Sequence, residues 1–494
     1  MNKFSLWKTL LLMALAPVAA LFALGLAGCT MIPKYQQPAA NISTNWPSVP
    51  GYAKVETAPA AVPAADIGWR DFFRDPRLQQ IIQIALTNNP NLLASVYTVQ
   101  QSRSLYHVQE AALLPTINVN ASGQRTRTPN VYSGGTNSLP PLQYTEYNLN
   151  LGVAQYELDL FGRVRSLTRQ ALETYMATDE ARRSAQIALV AQVGTAYVTE
   201  QEAAEQLAIS REQLKAAKQT YDLTQRTFEA GEASQFDLNN ASLQLQNITA
   251  AVAGYAQQLA EASDNLTLLV GEPLPPDLQP TQPFNPDVCL SDIPAGLPSD
   301  LLQRRPDITE AEHQLKAANA NIGAARAAFF PTVTLTGSAG FASTTLQSLF
   351  APGSRAWGLS PQIVWPVFDM GTAYHELKAD EAAKMAQAAN YKSAVQTAFK
   401  EVADALAVRE TVQSQLADNK ELVKTDEQSY HLTQAGFQTG VNSALDVNVT
   451  LQTLDSARLG LIQTQYSHLI SLINLYQALG GGWSEQTVEE TAKQ

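Results

Sequence analysis

The chain has 494 residues, with 33 Lys and Arg against 45 Asp and Glu, a net charge of −12, and two cysteines. That acidic balance excludes the basic surface a nucleic-acid partner requires. Two cysteines, Cys29 and Cys289, are too few for a disulfide framework.

Taken in chain order, the first element is an export signal at 1–28. Lys3 and Lys8 precede an apolar run from Thr9 to Leu26, which ends in Leu26-Ala27-Gly28-Cys29. A small-residue site ending in cysteine resembles the bacterial lipoprotein signal. The resemblance implies cleavage before Cys29, acylation of its thiol and new amino group, and, with Thr30 rather than Asp next in line, delivery to the outer membrane. Loss of residues 1–28 removes two lysines and no acids, which takes the balance to −14. No later apolar run reaches the ~18 residues of a spanning helix. If the mature chain crosses a membrane, it does so with strands. Residues 29–68 then read as an extended lipidated segment.

From 69 onward the chain is written twice. Asn89-Pro90 and Leu114-Pro115-Thr116-Ile117 recur 216 positions later as Arg305-Pro306 and Phe330-Pro331-Thr332-Val333. Further on the offset is 209: Phe228, Gly231, Ser234 and Asp237 return as Phe437, Gly440, Ser443 and Asp446. The change of register places a length-tolerant loop inside each copy. The copies cover 69–271 and 297–483, joined by a proline-rich connector at 272–296 and followed by a tail at 484–494.

Each copy opens with a helix and continues into two segments of period two, at 115–157 and 331–366. In the first pair Ile117, Val119, Tyr147, Leu149, Leu151 and Val153 alternate with Asn118, Asn120, Asn148 and Asn150. In the second, Val333, Leu335, Leu359, Ile363 and Trp365 alternate with Thr332, Thr334, Ser360 and Gln362. Period two means strands with two unlike faces. The aromatics Tyr144, Tyr147, Trp357 and Trp365 suit the interfaces of a membrane barrel with apolar residues outward and neutral polar residues toward a watery lumen. Four strands cannot close such a barrel, because the smallest have about eight. A spanning chain must therefore oligomerise, and strand count alone allows two, three or more copies.

Proline is absent from 142–272 and from 367–494, which permits long helices. Val193, Leu207, Leu214, Tyr221 and Phe228 fall on one seven-residue series interrupted by Glu200. The second copy repeats it with Val402, Leu416, Val423, Tyr430 and Phe437, interrupted by Arg409. This is the seam of helices packed as coiled coils. Val164 to Ala230 spans roughly 100 Å if helical throughout. Each copy thus predicts a helical hairpin with its tip at 231–237 or 440–446, where Gly231 and Gly440 allow the reversal and Ser234, Asp237, Ser443 and Asp446 cap the returning helix.

Catalytic patterns fail one by one. His107, His313, His375, His431 and His468 are scattered, and His375-Glu376 lacks the second histidine of a zinc-protease helix. Gly480-Gly481-Gly482 leads to Trp483 rather than to the Lys of a phosphate loop. No enzyme activity, metal or cofactor is expected beyond the covalent lipid on Cys29, and Cys289 reads as a small apolar filler.

Trp69-x-x-Phe72-x-x-Asp75-Pro76, Tyr156 to Arg163, Arg304-Arg305-Pro306-Asp307-Ile308, the run Ala317 to Arg326, and Ala478 to Trp483 together resemble the NodT-type lipoprotein branch of the TolC-like outer-membrane efflux ducts. The resemblance implies a mixed α and β fold in a homotrimer. Four strands per chain form one 12-stranded transmembrane barrel, continuous with a periplasmic helical coiled-coil barrel. It also implies passive export of toxic small molecules such as antibiotics, with a periplasmic adaptor and an inner-membrane RND-type pump as partners. Asp237 and Asp446 then ring the periplasmic mouth as a cation-attracting gate. In relatives with a defined lock, a Tyr and an Arg hold the second tip; here Phe437 and Asn442 occupy those places, so closure is expected to rest more on packing. Alternatives are a duct for metal ions or secreted polypeptides, and a non-conducting periplasmic scaffold. Met176, Met370 and Met385 stand apart from one another, which disfavours specialisation for soft metals.

Overall fold

The computed structural model describes residues 30–39, 42–43, 45–47, 62–128, 142–278, 284–291, 293–296, 298–439 and 441–487, so Cys29 and Gly440 lie outside the described residues. Three helices come first: α1 (Trp69–Phe72), α2 (Pro76–Asn88) and α3 (Pro90–Ala111). Strands β1 (Ile117–Thr128) and β2 (Leu142–Leu158) follow, then helices α4 (Arg163–Glu229) and α5 (Gln235–Val270). The second copy runs through α6 (Leu301–Arg304), α7 (Pro306–Ala327), β3 (Thr332–Ser343), β4 (Arg355–Val364), α8 (Thr372–Gln438) and α9 (Ala444–Ala478). Helices α4 and α8 have 67 residues each. Among the described residues no helix is long and apolar enough to cross a membrane.

The chain divides into two units, and one holds the residues up to 38 together with 100–177 and 312–390. Its centre is a sheet of order β1-β2-β3-β4, antiparallel throughout. The same unit explains the small-residue run of α7. A Cβ on Gly323 lies 2.6 Å from both Ile32 Cγ1 and Ser166 Oγ, so only glycine admits the N-terminal segment there. Asn319 Nδ2 donates to the Pro33 carbonyl at 2.9 Å, and Tyr35 Oη donates to Glu312 at 3.3 Å. Nearby, Glu173 bonds Arg169 at 2.5 Å and His313 at 2.6 Å. Burial works against its charge, but the His313 hydrogen bond and the Arg169, His313 and Lys316 charges outweigh it and hold the carboxyl below its ordinary value.

The second unit takes 39–99, 178–311 and 391–494, and its described residues include an aromatic core. Trp69, Phe72, Phe73 and Tyr476 are at most 1 % exposed. Phe72 stacks on Tyr476 with centroids 4.0 Å apart, and Tyr476 Oη donates to the Ile67 carbonyl at 2.6 Å. Asp75 caps α2 by accepting from Arg77 N at 2.9 Å and also takes the buried Tyr197 hydroxyl at 2.8 Å. Cys289 is buried and free, and burial pushes its thiol up. The tail is tied at its start: Trp69 N donates to the Ser484 carbonyl at 2.9 Å and Thr487 N to Asp71 at 2.8 Å.

The duplication extends to how helices are joined end to end in this unit. Asn89 Nδ2 donates to the Leu269 carbonyl at 2.7 Å, and Arg305 Nη1 donates to the Ala478 carbonyl at 2.9 Å. Donor and acceptor in each pair are related by the repeat offsets. Gly271 (φ 84) and Gly480 (φ 86) end the return helices in the left-handed region, where glycine carries no steric penalty. Arg305 is further held by Asp307 at 2.5 Å and Glu401 at 2.8 Å, and Arg304 pairs with Asp66.

The helical seam is tight at one end and open at the other. Val193, Leu207 and Val402 are buried, whereas Leu214, Tyr221, Leu416 and Val423 are half-buried. The two charged interruptions have different fates. Glu200 is 2 % exposed and burial pushes its carboxyl up, against a Ser263 hydrogen bond. Arg409 instead donates to the Ile293 carbonyl at 2.9 Å. Burial also raises Glu202, to about 7, even though Gln206 donates to it.

Two outcomes are expected. Gly323→Val displaces the segment at 30–35, read as new protease cleavage there in protein that still folds. For Glu202, an acid raised from 4.5 to about 7 on folding makes stability fall as pH rises across that interval. Glu202→Gln keeps the Gln206 bond and raises Tm by a few degrees near pH 8 but not at about pH 4, where the wild-type group is already neutral.

Candidate functional site

Register decides which residues share a face of the sheet. Asn120 pairs with Asn150, Ser122 with Asn148, Thr334 with Gln362 and Thr336 with Ser360. Asn118 pairs with Gly152, which opposes Ser338, while Asn148 and Asn150 oppose Ala342 and Gly340. Asn118, Asn120, Asn148, Asn150, Thr332, Thr334 and Gln362 therefore lie on one face, among small and neutral polar residues. The other face carries Ile117, Val119, Leu149, Leu151, Val333, Leu335, Phe341, Leu359 and Ile363. Val119 is 72 % exposed, Ile363 69 % and Trp357 82 %, so one chain leaves the apolar face bare. Beyond Gly123 that face turns to Arg125 and Arg127, which bounds the apolar band. Tyr144 pairs with Thr126 and so sits on the polar face, while Tyr147 keeps to the apolar one.

Strict alternation misses one event in β2. The register shifts between Val153 and Tyr156, and Gln155 adopts φ 52 while its N–H bonds Thr336 Oγ1 at 3.2 Å. This β-bulge inserts an extra residue and reverses the parity beyond it. Tyr156 turns to the apolar side opposite Leu335, and its hydroxyl donates to the Leu113 carbonyl at 2.8 Å. Glu157 joins Thr334 on the polar side and holds Arg163 through bonds of 2.9 and 2.5 Å. The outer edges of β1 and β4, at 12 and 10 residues, have no strand partner among the described residues.

The hairpin tips are built alike. Gly231 (φ 79) makes the first reversal. Ser234 Oγ accepts from Asp237 N at 3.2 Å, while Asp237 Oδ2 accepts from Ser234 N at 3.0 Å and from its hydroxyl at 2.6 Å. In the second tip Ser443 Oγ accepts from Asp446 N at 3.2 Å, and Asp446 Oδ2 accepts from Ser443 N at 2.8 Å and its hydroxyl at 2.7 Å. Both are capping boxes, with Asp in place of the usual Glu or Gln. The Ser234 and Ser443 hydrogen bonds hold both carboxyls below the ordinary aspartate value. Both aspartates remain exposed to solvent.

Phe437 is 40 % exposed, without a hydroxyl to donate. Asn442 donates from Nδ2 to the Thr433 carbonyl at 3.2 Å within its own hairpin. It lies over Gly436, where a Cβ would come 2.5 Å from Nδ2. Gly436 was not among the residues expected at the tip; its signal is a glycine inside a helical pattern, paired with an amide six positions on. Among the described residues no cluster of His, Cys, Asp and Glu is arranged to hold a metal.

The family model for outer membrane efflux protein matches residues 81–272 and 297–481. The toluene efflux pump outer membrane protein TtgC of Pseudomonas putida is 44 % identical, over 95 % of this chain and 96 % of its own length. The solvent efflux pump outer membrane protein SrpC of Pseudomonas putida is 41 % identical, over 95 % of this chain and 98 % of its own. Among solved structures, the open state of the Neisseria gonorrhoeae MtrE outer membrane channel superposes with a TM-score of 0.83 at 36 % identity, covering 93 % of this chain and 100 % of that one. With that model matched over more than half of the chain and near-complete coverage by these relatives, the chain belongs to the outer membrane efflux protein family.

Proposed function

We propose that this protein is the outer-membrane exit duct of a tripartite efflux pump, passing toxic small molecules such as solvents and antibiotics to the exterior. The observation that carries the reading is the sheet. It has one polar face that is neutral between Glu146 and Glu157, one bare apolar face and two open edges, in a chain of this family. In lipid every backbone polar group needs an internal partner, so such a sheet is stable only when its edges are closed. Strand order alternates, so β4 of one copy and β1 of the next meet antiparallel. Three copies give 12 strands and an aqueous lumen lined by Asn118, Asn120, Asn148, Asn150, Thr332, Thr334 and Gln362.

The helical hairpins are read as the periplasmic part of the duct, and their tips as its entrance. There Asp237 and Asp446, each present three times, attract cations and resist one another's approach. A periplasmic adaptor and an inner-membrane RND-type pump supply cargo and energy. The duct itself is passive and not an enzyme, and it uses no cofactor. Cys29 carries the acyl anchor that tethers the chain to the outer membrane. The names of TtgC and SrpC favour solvents and related toxic compounds over metal ions as cargo.

A cross-linked pull-down of tagged protein from intact cells is expected to recover an adaptor and a proton-driven pump. Recovery of no inner-membrane transporter, where a control assembly survives, returns the scaffold reading. In planar bilayers Asp446→Ala is expected to lower the cation-over-anion preference. An unchanged conductance and preference would leave Asp446 with its capping role alone.

A further inference from the structure

The two tips share a pattern of backbone hydrogen bonds and differ in the side-chain bonds laid over it. In the first, Glu232 N and Ala233 N donate to the Thr227 carbonyl at 2.8 and 3.2 Å; in the second, Val441 N and Asn442 N donate to the Gly436 carbonyl at 2.8 and 3.2 Å. Each pair is followed by the same Ser-x-x-Asp capping box. Only the second tip adds a side chain that reaches back across the turn, Asn442 Nδ2 to the Thr433 carbonyl at 3.2 Å. Its counterpart in the first tip is Ala233, which has no polar side chain. Thr227, in the place of Gly436, turns its hydroxyl to carbonyls of its own helix, Leu223 at 3.2 Å and Thr224 at 3.0 Å.

Gly436 and Asn442 make sense only together. Glycine within a helix is unfavourable by itself, and here it opens the space that the amide fills. Asn442 directly precedes Ser443, the N-cap of α9, and Ser443 in turn binds the Asp446 carboxylate through both N–H and hydroxyl. A continuous chain of bonds thus runs from the body of α8 to the charge at the tip: Thr433, Asn442, Ser443, Asp446.

We propose that Asn442 is a positioning residue for Asp446. It latches the second tip from within, tying the turn that presents Asp446 to the body of α8, whereas Ala233 gives the turn that presents Asp237 no side-chain tie of this kind. The second hairpin then sets the cation preference of the mouth. This rests on the duct reading above. It differs from a lock between neighbouring groups, because the bond closes inside one hairpin.

The test measures reversal potentials of purified protein in planar bilayers across a KCl gradient. The variants are Asn442→Ala, Gly436→Ala, and the double Gly436→Thr/Asn442→Ala, which builds the first tip's residue pair into the second. Asn442→Ala is also made in an Asp446→Asn background. Each of the first three is expected to reduce the cation-over-anion permeability ratio roughly twofold, as for directly coupled neighbours. In the Asp446→Asn background, loss of Asn442 is expected to change nothing further. The double variant carries the test even where a single one fails to assemble, since its residues already coexist in the first tip.

The proposal is overturned if the latch variants keep the wild-type ratio while Asp446→Asn shifts it, or if the Asn442→Ala effect persists undiminished in the Asp446→Asn background. A wild-type protein that assembles but does not conduct overturns the duct reading, and this proposal with it. Wild-type conduction with unresponsive latch variants overturns this proposal alone.

Discussion

The rest of the structure depends on one constraint, that a sheet with a bare apolar face and two unpaired edges cannot remain alone. In water the face exposes side chains such as Val119, Trp357 and Ile363, and in lipid the edges expose a row of N–H and C=O groups. Either solvent penalises the isolated chain. Closing the edges against further copies relieves the edge penalty and leaves the apolar face to the lipid. The neutral face, with its Asn, Ser and Thr, is then the one that can remain wet. The Arg125 and Arg127 positions show where the apolar band stops. The bulge at Gln155 takes Glu157 off the apolar side at the other end of β2.

Duplication solves a second problem, how to end the two return helices without leaving polar groups stranded. Each return helix ends at a glycine in the left-handed region, and a carbonyl of its last turn accepts a side chain from the junction that precedes α3 or α7 in the same copy. Asn89 and Arg305 do the same work with different chemistry. The amide needs only a carbonyl partner and also caps Leu92 N at 3.0 Å. The guanidinium brings a charge into a buried place and requires Asp307 and Glu401 to balance it. Copies of one design thus use different chemistry at one buried place, while keeping the bond that joins the helices.

Much of this was legible in the sequence because it is periodic. Two-residue alternation assigned Asn118, Asn120, Asn148 and Asn150 to a common face, and pairing register places them there. The seven-residue seam and absent prolines gave a helix from Val164 to Ala230, against the observed Arg163–Glu229. What periodicity could not carry were events that break it. A bulge depends on how two distant strands register, so nothing local in Ala154-Gln155 announces it. Tyr144 continues the alternation of the polar face, although its type suggested an interfacial aromatic. Residues 484–487 looked like the start of a tail because their partners, 68–71, lie at the far end of the chain. Asn442 was read as a missing lock residue, since its partner Thr433 lies on the helix before the turn and its fit depends on the absence of a side chain at Gly436.

The tip aspartates are helix caps, and that role is compatible with the proposed gate charge. Crowding like charges around a narrow mouth raises carboxyl pKa values and so tends to neutralise the ring. Capping acts in the opposite direction. In both tips the Ser hydroxyl and N–H bond the ionised Oδ2, and each carboxyl is held below its ordinary value. Because the bonds go to the charged form, protonation weakens the cap as well as removing the charge. A chain that placed a bare aspartate at the entrance would lose its charge more readily as copies assemble. One that places the aspartate in a capping box keeps it ionised and bonded to its own turn, as the proposed gate requires.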